Sequence, residues 1–456
     1  MKKNFLYLIL LSVFIASCSS DDEFDRKLKF IEEERAATAS SIMGEKAAED
    51  YIRNFLSRLP KPFENSYWLR NNYVPAENLK LNSKVLKDFS EYDVGSEPKQ
   101  GMFITSAPVV ADGVIYTIAG KGEVQARSFS DPDRILWQRI VEKEYLSENR
   151  EHGFYRNMTN LFYDSDSFLG GNIAYSLGKL FVSTKRGNVF ALNAKTGETE
   201  WVKKLGVPAR STPNAQDGVV IVSTINNKTY AYDALSGKTL WHHEGLGEKS
   251  KIFATPTPVI KNGVAYIPYS SGEMYALELK TGIEKWSTIT TPQKVALLNP
   301  SLNDISHDPI LHRGNIIIVT SDGRMILIDK ESGDKIWELE GHAIDSTPWA
   351  ISDFIFAKNK FGKLIAVAFK TGKVAWKENL DDPETIDEEN LIFTSPIVAG
   401  NKIFIADNES GLRAYSTRNG KLEKMYIAPE DVYIKPVVVK GKVLLISNEA
   451  ELAVYN

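Results

Sequence analysis

A short unit recurs down this chain and limits what it can fold into. A small or apolar residue is followed six positions later by glycine, and usually by tryptophan four positions after that, as in ALNAKTGETEW (Ala191–Trp201). The glycines are Gly197, Gly237, Gly282, Gly333, Gly372 and Gly420, spaced 39 to 51 residues apart. Six positions ahead of them stand Ala191, Ala231, Ala276, Leu327, Ala366 and Ala414. Four positions after them stand Trp201, Trp241, Trp286, Trp337, Trp376 and, in the last copy, Lys424. An earlier, irregular copy, GEVQARSFSDPDRILW, carries Gly122, Ala126 and Trp137. A repeat of this length marks stacked supersecondary units, none of which can bury its apolar surface alone.

Ahead of each turn lies a second signature, a proline, an apolar run and a glycine. SAPVVADGVIY has Pro108 and Gly113, TPTPVIKNGVAYI has Pro258 and Gly263, HDPILHRGNIIIV has Pro309 and Gly314, and IKPVVVKGKVLLI has Pro436 and Gly441. Further copies begin near Pro213, Pro348 and Pro396, and a copy without proline runs from Asn172 to Thr184. Each unit therefore reads as three strands joined by turns, then the glycine turn and a tryptophan-bearing strand. Four antiparallel strands in such a length are one propeller blade. Eight signals predict an all-β, eight-bladed propeller. The eighth copy, ISNEAELAVYN, stops after its third strand, which leaves an open edge. The segment Ser83–Asp93 (SKVLKDFSEYD), just ahead of the first blade, is the expected donor of the missing strand.

Six of the eight tryptophans, Trp137, Trp201, Trp241, Trp286, Trp337 and Trp376, thus hold one equivalent place in the outer strand. A side chain that large, repeated once per blade, is expected to pack across the neighbouring sheet onto its glycine turn, contributing roughly 2–3 kcal/mol per copy. A cofactor would need one specialised tryptophan near the axis rather than six equivalent ones at the periphery. The tryptophans read as structural.

The single cysteine, Cys18, follows Lys2, Lys3, the apolar stretch Phe5–Ile15 and the small residues Ala16 and Ser17. The apolar stretch is too short to span a bilayer, and the pattern is that of a lipoprotein signal peptide with Cys18 as the lipid acceptor. Ser19, rather than Asp, at the next position implies outer-membrane sorting. The expected organisation is a signal peptide over residues 1–17, a lipidated tether over 18–60 and a propeller over 61–456. The tether is polar, with Asp21-Asp22-Glu23 and Glu32-Glu33-Glu34, and is in part a helix former from Arg26 to Leu59. With Cys18 acylated, no thiol is left for a disulfide, a metal or nucleophilic catalysis. A net charge of −4 offers no basic field for nucleic acid.

Other chemistry is sparse. Asp164, Asp166, Asp304 and Asp308 are carboxylates in loop sequence, where acids are expected anyway. His242 and His243 alternate faces of a strand, and His307 and His312 point opposite ways on a regular one, so neither pair predicts a metal site. Gly120-Lys-Gly122 lacks the third glycine of a dinucleotide fingerprint, and no phosphate loop or nucleophile elbow is present.

The repeat resembles that of the PQQ-like propellers, which include both quinoprotein dehydrogenases and non-catalytic scaffolds. The dehydrogenases add calcium-binding carboxylates and often a vicinal disulfide, and this chain has no vicinal cysteines. Lipobox, tether and eight blades together resemble the BamB-like lipoproteins of outer-membrane β-barrel assembly, of alphaproteobacterial type. The resemblance runs over about residues 60–456. It includes VPARSTPNAQDGVVIVSTINNKTYAYDALSGKTLWHHEG, PYSSGEMYALELKTG, LNDISHDPILHRG, STPWAISDFIFA and, before the first blade, LPKPFENSYWLRNNY. It implies a non-catalytic, cofactor-free scaffold, lipid-anchored and facing the periplasm. Its implied partners are the POTRA domains of a BamA-like barrel-inserting subunit and other assembly lipoproteins. The family's loop arginine matches Arg210, and Asp304 matches the first acid of an acidic pair whose second place is Ser306 here. The alternative is a PQQ-dependent oxidoreductase.

Overall fold

The computed structural model describes residues 59–70, 78–81, 86–98, 103–142, 171–209, 211–245, 256–290, 304–380 and 391–455. The signal peptide, Cys18, most of the tether, Asp164 and Asp166 lie outside the described residues. The strands form eight antiparallel sheets of four. The first strand of the chain, β1 (Phe89–Asp93), stands apart from its neighbours in sequence. Seven blades follow, each of four consecutive strands: β2–β5 (residues 109–140), β6–β9 (171–204), β10–β13 (214–244), β14–β17 (259–289), β18–β21 (310–339), β22–β25 (349–379) and β26–β29 (397–430). The eighth has only β30–β32 (437–455) of its own, and β1 supplies its outer strand. Phe89 to Asp93 pair antiparallel with Tyr455 to Glu451. The strand expected between Ser83 and Asp93 thus closes the ring, with Leu86 and Val94 buried at either side of it.

Burial orders the strands within a blade. The first strands of blades 1, 6, 7 and 8 are fully buried, whereas the fourth strand of blade 1 is largely exposed. First strands of successive blades also approach one another (blades 1 and 2, 2 and 3, 3 and 4, 5 and 6). They therefore line the axis. A separate apolar cluster fills each junction from blade 1 through blade 6, and one larger cluster joins blades 6, 7, 8 and 1.

The repeat has a local explanation. Its small residue pairs across the sheet with the tryptophan: Ala126 with Trp137, Ala191 with Trp201, Ala231 with Trp241, Ala276 with Trp286, Leu327 with Trp337 and Ala366 with Trp376. A register shift follows the small residue in each case, as a β-bulge does when it re-aims a side chain. The ring then crosses to the next blade and lies on its turn glycine. A Cβ added to Gly197 would stand 2.6 Å from Trp137, and one on Gly237 2.7 Å from Trp201. Trp241, Trp286, Trp337 and Trp376 cover Gly282, Gly333, Gly372 and Gly420 in the same way. Five indole nitrogens donate across the junction: Trp137 to Ala194 O, Trp201 to Ala234 O, Trp241 to Leu279 O, Trp286 to Lys330 O and Trp337 to Phe369 O. We call each tryptophan and its glycine a rivet.

Six rivets join eight blades, and the two junctions without one flank blade 8. Blade 8 ends in its third strand and has no glycine turn to receive a ring, so blade 7 carries Lys424 opposite Ala414. On the other side, Glu91 takes the tryptophan's place opposite Ala453, and blade 1 turns through Ser128–Arg134 without glycine. Blade 8 is the seam of the ring.

Candidate functional site

Strand alternation sorts the connections between two ends. The turns after first and third strands, including all the glycine turns, lie at one end. The turns after second strands, and the connections from blade to blade, lie at the other, here called the loop end. Arg210 and Asp304 both belong to blade-to-blade connections and so to the loop end; Glu198, in a glycine turn, lies opposite.

Arg210 itself is outside the described residues, but its neighbours Ala209 and Ser211 are buried and Ala209 bridges Thr224. The same bridge recurs as Ile305 to Thr320, Ile344 to Asn359 and Phe393 to Asp407; Ser306 and Asp345 follow the bridged residue in sequence in blades 5 and 6, as Arg210 follows Ala209. Asp304, ahead of that bridge, is only 4% exposed, and its carbonyl accepts from Ser321 N at 2.8 Å. Ser306 bonds inward: its N–H donates to Val319 O at 3.0 Å and its hydroxyl meets His307 Nδ1 at 2.8 Å. Asp345, on the same rim, is half-exposed, with Lys358 Nζ at 3.4 Å and His307 Nε2 at 3.9 Å. Burial, assisted by Lys358 and Lys360, pushes His307 down to about 4 against the pull of Asp345, so its ring is neutral near pH 7. On the turn after the second strand of blade 5, Arg324 donates to Glu338 and Asp322, both at 2.6 Å, and to Thr290 O at 3.0 Å. The loop end of blades 5 and 6 is thus a held frame of charged groups.

The axis holds a second arrangement, and the chain's own N-terminal segment builds it. Trp68 and Val110, on the first strand of blade 1, exchange main-chain hydrogen bonds of 2.7 and 2.8 Å. Leu69 O accepts from Tyr175 N of blade 2 at 2.8 Å, and Arg70 Nη1 donates to Asn214 Oδ1 of blade 3 at 3.2 Å. Residues 78–81 return along blade 7, where Leu79 N donates to Val398 O and Gly400 N to Leu79 O. Asn65 O accepts from Lys440 N of blade 8 at 2.9 Å. Trp68 and Leu79 are wholly buried. The Lys435 ammonium lies between two indoles, 5.8 Å from the Trp68 ring and 6.0 Å from that of Trp349, on the first strand of blade 6. Burial pushes Lys435 down to about 7, Arg70 lowering it further while Asp308 opposes both.

Trp68, Trp349 and Lys435 are residues that repeat-based reading passed over. A signal was present. Trp68 and Trp349 are the two tryptophans outside the repeat register. The residue before the inner-strand proline is Ala107, Thr212, Thr257, Thr347 or Ser395 in five blades, but Asp308 and Lys435 in two. Those two break the pattern with opposite charges. Asp308 also accepts from Thr257 N of blade 4 at 2.7 Å.

The histidines are individually engaged. His243 Nδ1 meets Tyr269 OH at 2.8 Å, and His312 Nε2 meets Ser352 O at 2.8 Å; burial lowers both below the ordinary imidazole value. Among the described residues no three His, Cys, Asp or Glu side chains converge as a metal would require.

Eight four-stranded blades, six of whose junctions carry a tryptophan-on-glycine rivet, define a propeller of the PQQ-like repeat class. The chain belongs to the family described as outer membrane protein assembly factor BamB, whose sequence profile matches residues 149–378 and 357–456. An uncharacterized protein of Rickettsia conorii is 26% identical over 337 residues, 73% of this chain and 75% of its own. BamB of Yersinia pestis is 23% identical over 336 residues, 73% of this chain and 79% of its own. Among solved structures, BamB from Moraxella catarrhalis superposes with a TM-score of 0.58 at 16% identity, over 80% of this chain and 99% of that one. A quinohemoprotein alcohol dehydrogenase from Comamonas testosteroni gives 0.59 at 16% identity, over 90% and 80%. These structural likenesses establish the fold alone.

Proposed function

We propose that this chain is a non-catalytic scaffold of outer-membrane β-barrel protein assembly. It is lipid-anchored through Cys18, faces the periplasm and binds the POTRA domains of a BamA-like barrel-inserting subunit, alongside other assembly lipoproteins. Membership of the BamB family supports the assembly role. The observation that carries the non-catalytic reading is the axis itself: Trp68, Leu79 and Lys435 occupy the space that the first strands enclose. An oxidoreductase would need that space for cofactor and substrate.

The loop end is the proposed contact surface. Arg210 is its direct contact, because a guanidinium offers two charge-assisted hydrogen bonds to a carboxylate or to backbone carbonyls. Asp304, being buried, shapes the loop beside it, and Asp345 presents a half-exposed acid three blade-to-blade connections on from Arg210. The test titrates the purified chain with the partner's periplasmic domains. Arg210→Glu should weaken binding about thirtyfold or more, the loss of roughly 2 kcal/mol typical of a central interface arginine. Its melting temperature should match the wild type, and Glu198→Lys, at the opposite end, should bind normally. Unchanged affinity in both Arg210→Glu and Asp345→Lys would remove the loop end from the contact.

A further inference from the structure

The first strands of a propeller have one edge paired within the blade and one edge turned to the axis, where rows of N–H and C=O groups can accept another strand. In this chain that edge is used. Trp68 adds antiparallel to Val110, Arg70 bridges Ala174 in the same sense, and Leu79 adds parallel to Ala399. Leu81 bridges Gly441, between the first two strands of blade 8. Asn78 completes the attachment: its Nδ2 donates to Pro60 O at 3.0 Å and to Asn401 Oδ1 at 2.6 Å, and its Oδ1 accepts from Asn401 N at 3.2 Å. The main-chain bonds therefore fall on blades 7, 8, 1 and 2.

We propose that the axial channel is a peptide-binding groove, that its resident ligand is the chain's own residues 59–70 and 78–81, and that this in-cis strand addition clamps the two junctions that lack a tryptophan rivet. The correspondence is spatial. Rivets hold every junction from blade 1 round to blade 7, and the segment's bonds reach across the remaining two, from blade 7 through blade 8 to blade 1. Its anchor is chemically the same as a rivet's, a buried tryptophan. Here the indole, whose backbone is bonded to Val110 of blade 1, lies over a lysine from blade 8 that also faces Trp349 of blade 6, so one residue links blade 1 to the far side of the seam. Strand addition gives this groove its mode of recognition: main-chain bonds hold an extended peptide and a pocket takes its aromatic side chain. The larger apolar cluster that joins blades 6, 7, 8 and 1 includes Trp68 and Leu79, whereas the other junctions each have a cluster of their own.

Amide hydrogen exchange on the full chain tests the clamp, because it reads opening blade by blade. In Trp68→Ala, exchange in β1, β26–β28 and β30–β32 should quicken about tenfold or more while β14–β21 on the far side keep wild-type protection. Uniform acceleration round the ring, or none at all, would overturn the proposal. Should Trp68→Ala fail to fold, Asn78→Ala gives the milder version, with the same seam-restricted pattern expected. A second arm places a protease site in residues 82–85 and cleaves the folded, full-length chain. A bound peptide stays with the ring through gel filtration; loss of the segment from an intact ring would show that the groove does not hold it.

Discussion

The rivet makes a quantitative prediction when its two halves are changed separately and together. Gly237 has φ of 68°, and a Cβ there would stand 2.7 Å from Trp201 Cδ2 and 2.9 Å from Cγ. Gly237→Ala therefore combines a conformational cost of about 1–2 kcal/mol for a left-handed alanine with an overpacking cost of about 1–3 kcal/mol against the indole. Trp201→Ala removes a nearly buried ring that touches Phe181 and Tyr232 and donates to Ala234 O at 3.2 Å, and should cost about 3–5 kcal/mol. In the double variant the ring is gone, so the overpacking term vanishes and only the conformational one remains. The double should thus be more stable than the sum of the singles predicts, by about 1–3 kcal/mol. Gly218 is the control, because its φ is 80° but nothing lies within 4 Å of an added Cβ. Gly218→Ala should cost only the conformational term and add to Trp201→Ala without coupling. Urea unfolding followed by circular dichroism measures each corner of both cycles. Additivity in the Gly237 cycle to within about 0.5 kcal/mol would refute the claim that the turn glycines exist to receive the rings.

Two further predictions concern the seam and the tether. Removing residues 21–45 should leave the melting temperature unchanged, whereas removing 61–95 takes away both the axial segment and β1 and should prevent the ring from closing; equal melting curves would contradict the closure. Stability should rise from about pH 7 toward pH 9.5, because Lys435 binds its proton less tightly in the fold, about 7, than in the unfolded chain, about 10.5, so that the unfolded state holds more protons across that window. Above it the buried tyrosines Tyr116, Tyr232, Tyr269 and Tyr455, all raised by burial, reverse the slope. Urea midpoints for wild type and Lys435→Met at pH 7 and 9 check the sign: the variant should lose the rise, and an identical rise in both would assign it elsewhere.

The sequence determined a great deal of this protein. Period, turn glycines, alternating strands and the missing eighth outer strand specify an eight-bladed ring and name the segment that closes it, because each is a local requirement of a four-stranded blade. The alanine of the repeat and its tryptophan were legible as a pattern, and the reason they travel together is now visible in their cross-strand pairing and the bulge beside it. Lys424 stands in the last copy where the others carry tryptophan. It is the consequence of a blade that has no turn to rivet.

Tertiary structure decided what happens at the axis and at the loop end. Asp304 reads from sequence as a loop acid and is buried, while Asp345, not singled out by any motif, stays half-exposed, since exposure depends on how a connection folds back over its own blade. Residues 59–70 and 78–81 carry no repeat and no alternation, so their apolar positions could not be assigned to a face. Only a closed ring brings Val110, Tyr175, Val398 and Lys440 round one axis, and only there do Trp68 and Leu79 find partners. Strand periodicity records the surface a blade shares with its neighbours; it carries no record of an edge that becomes a binding groove when the eighth blade meets the first.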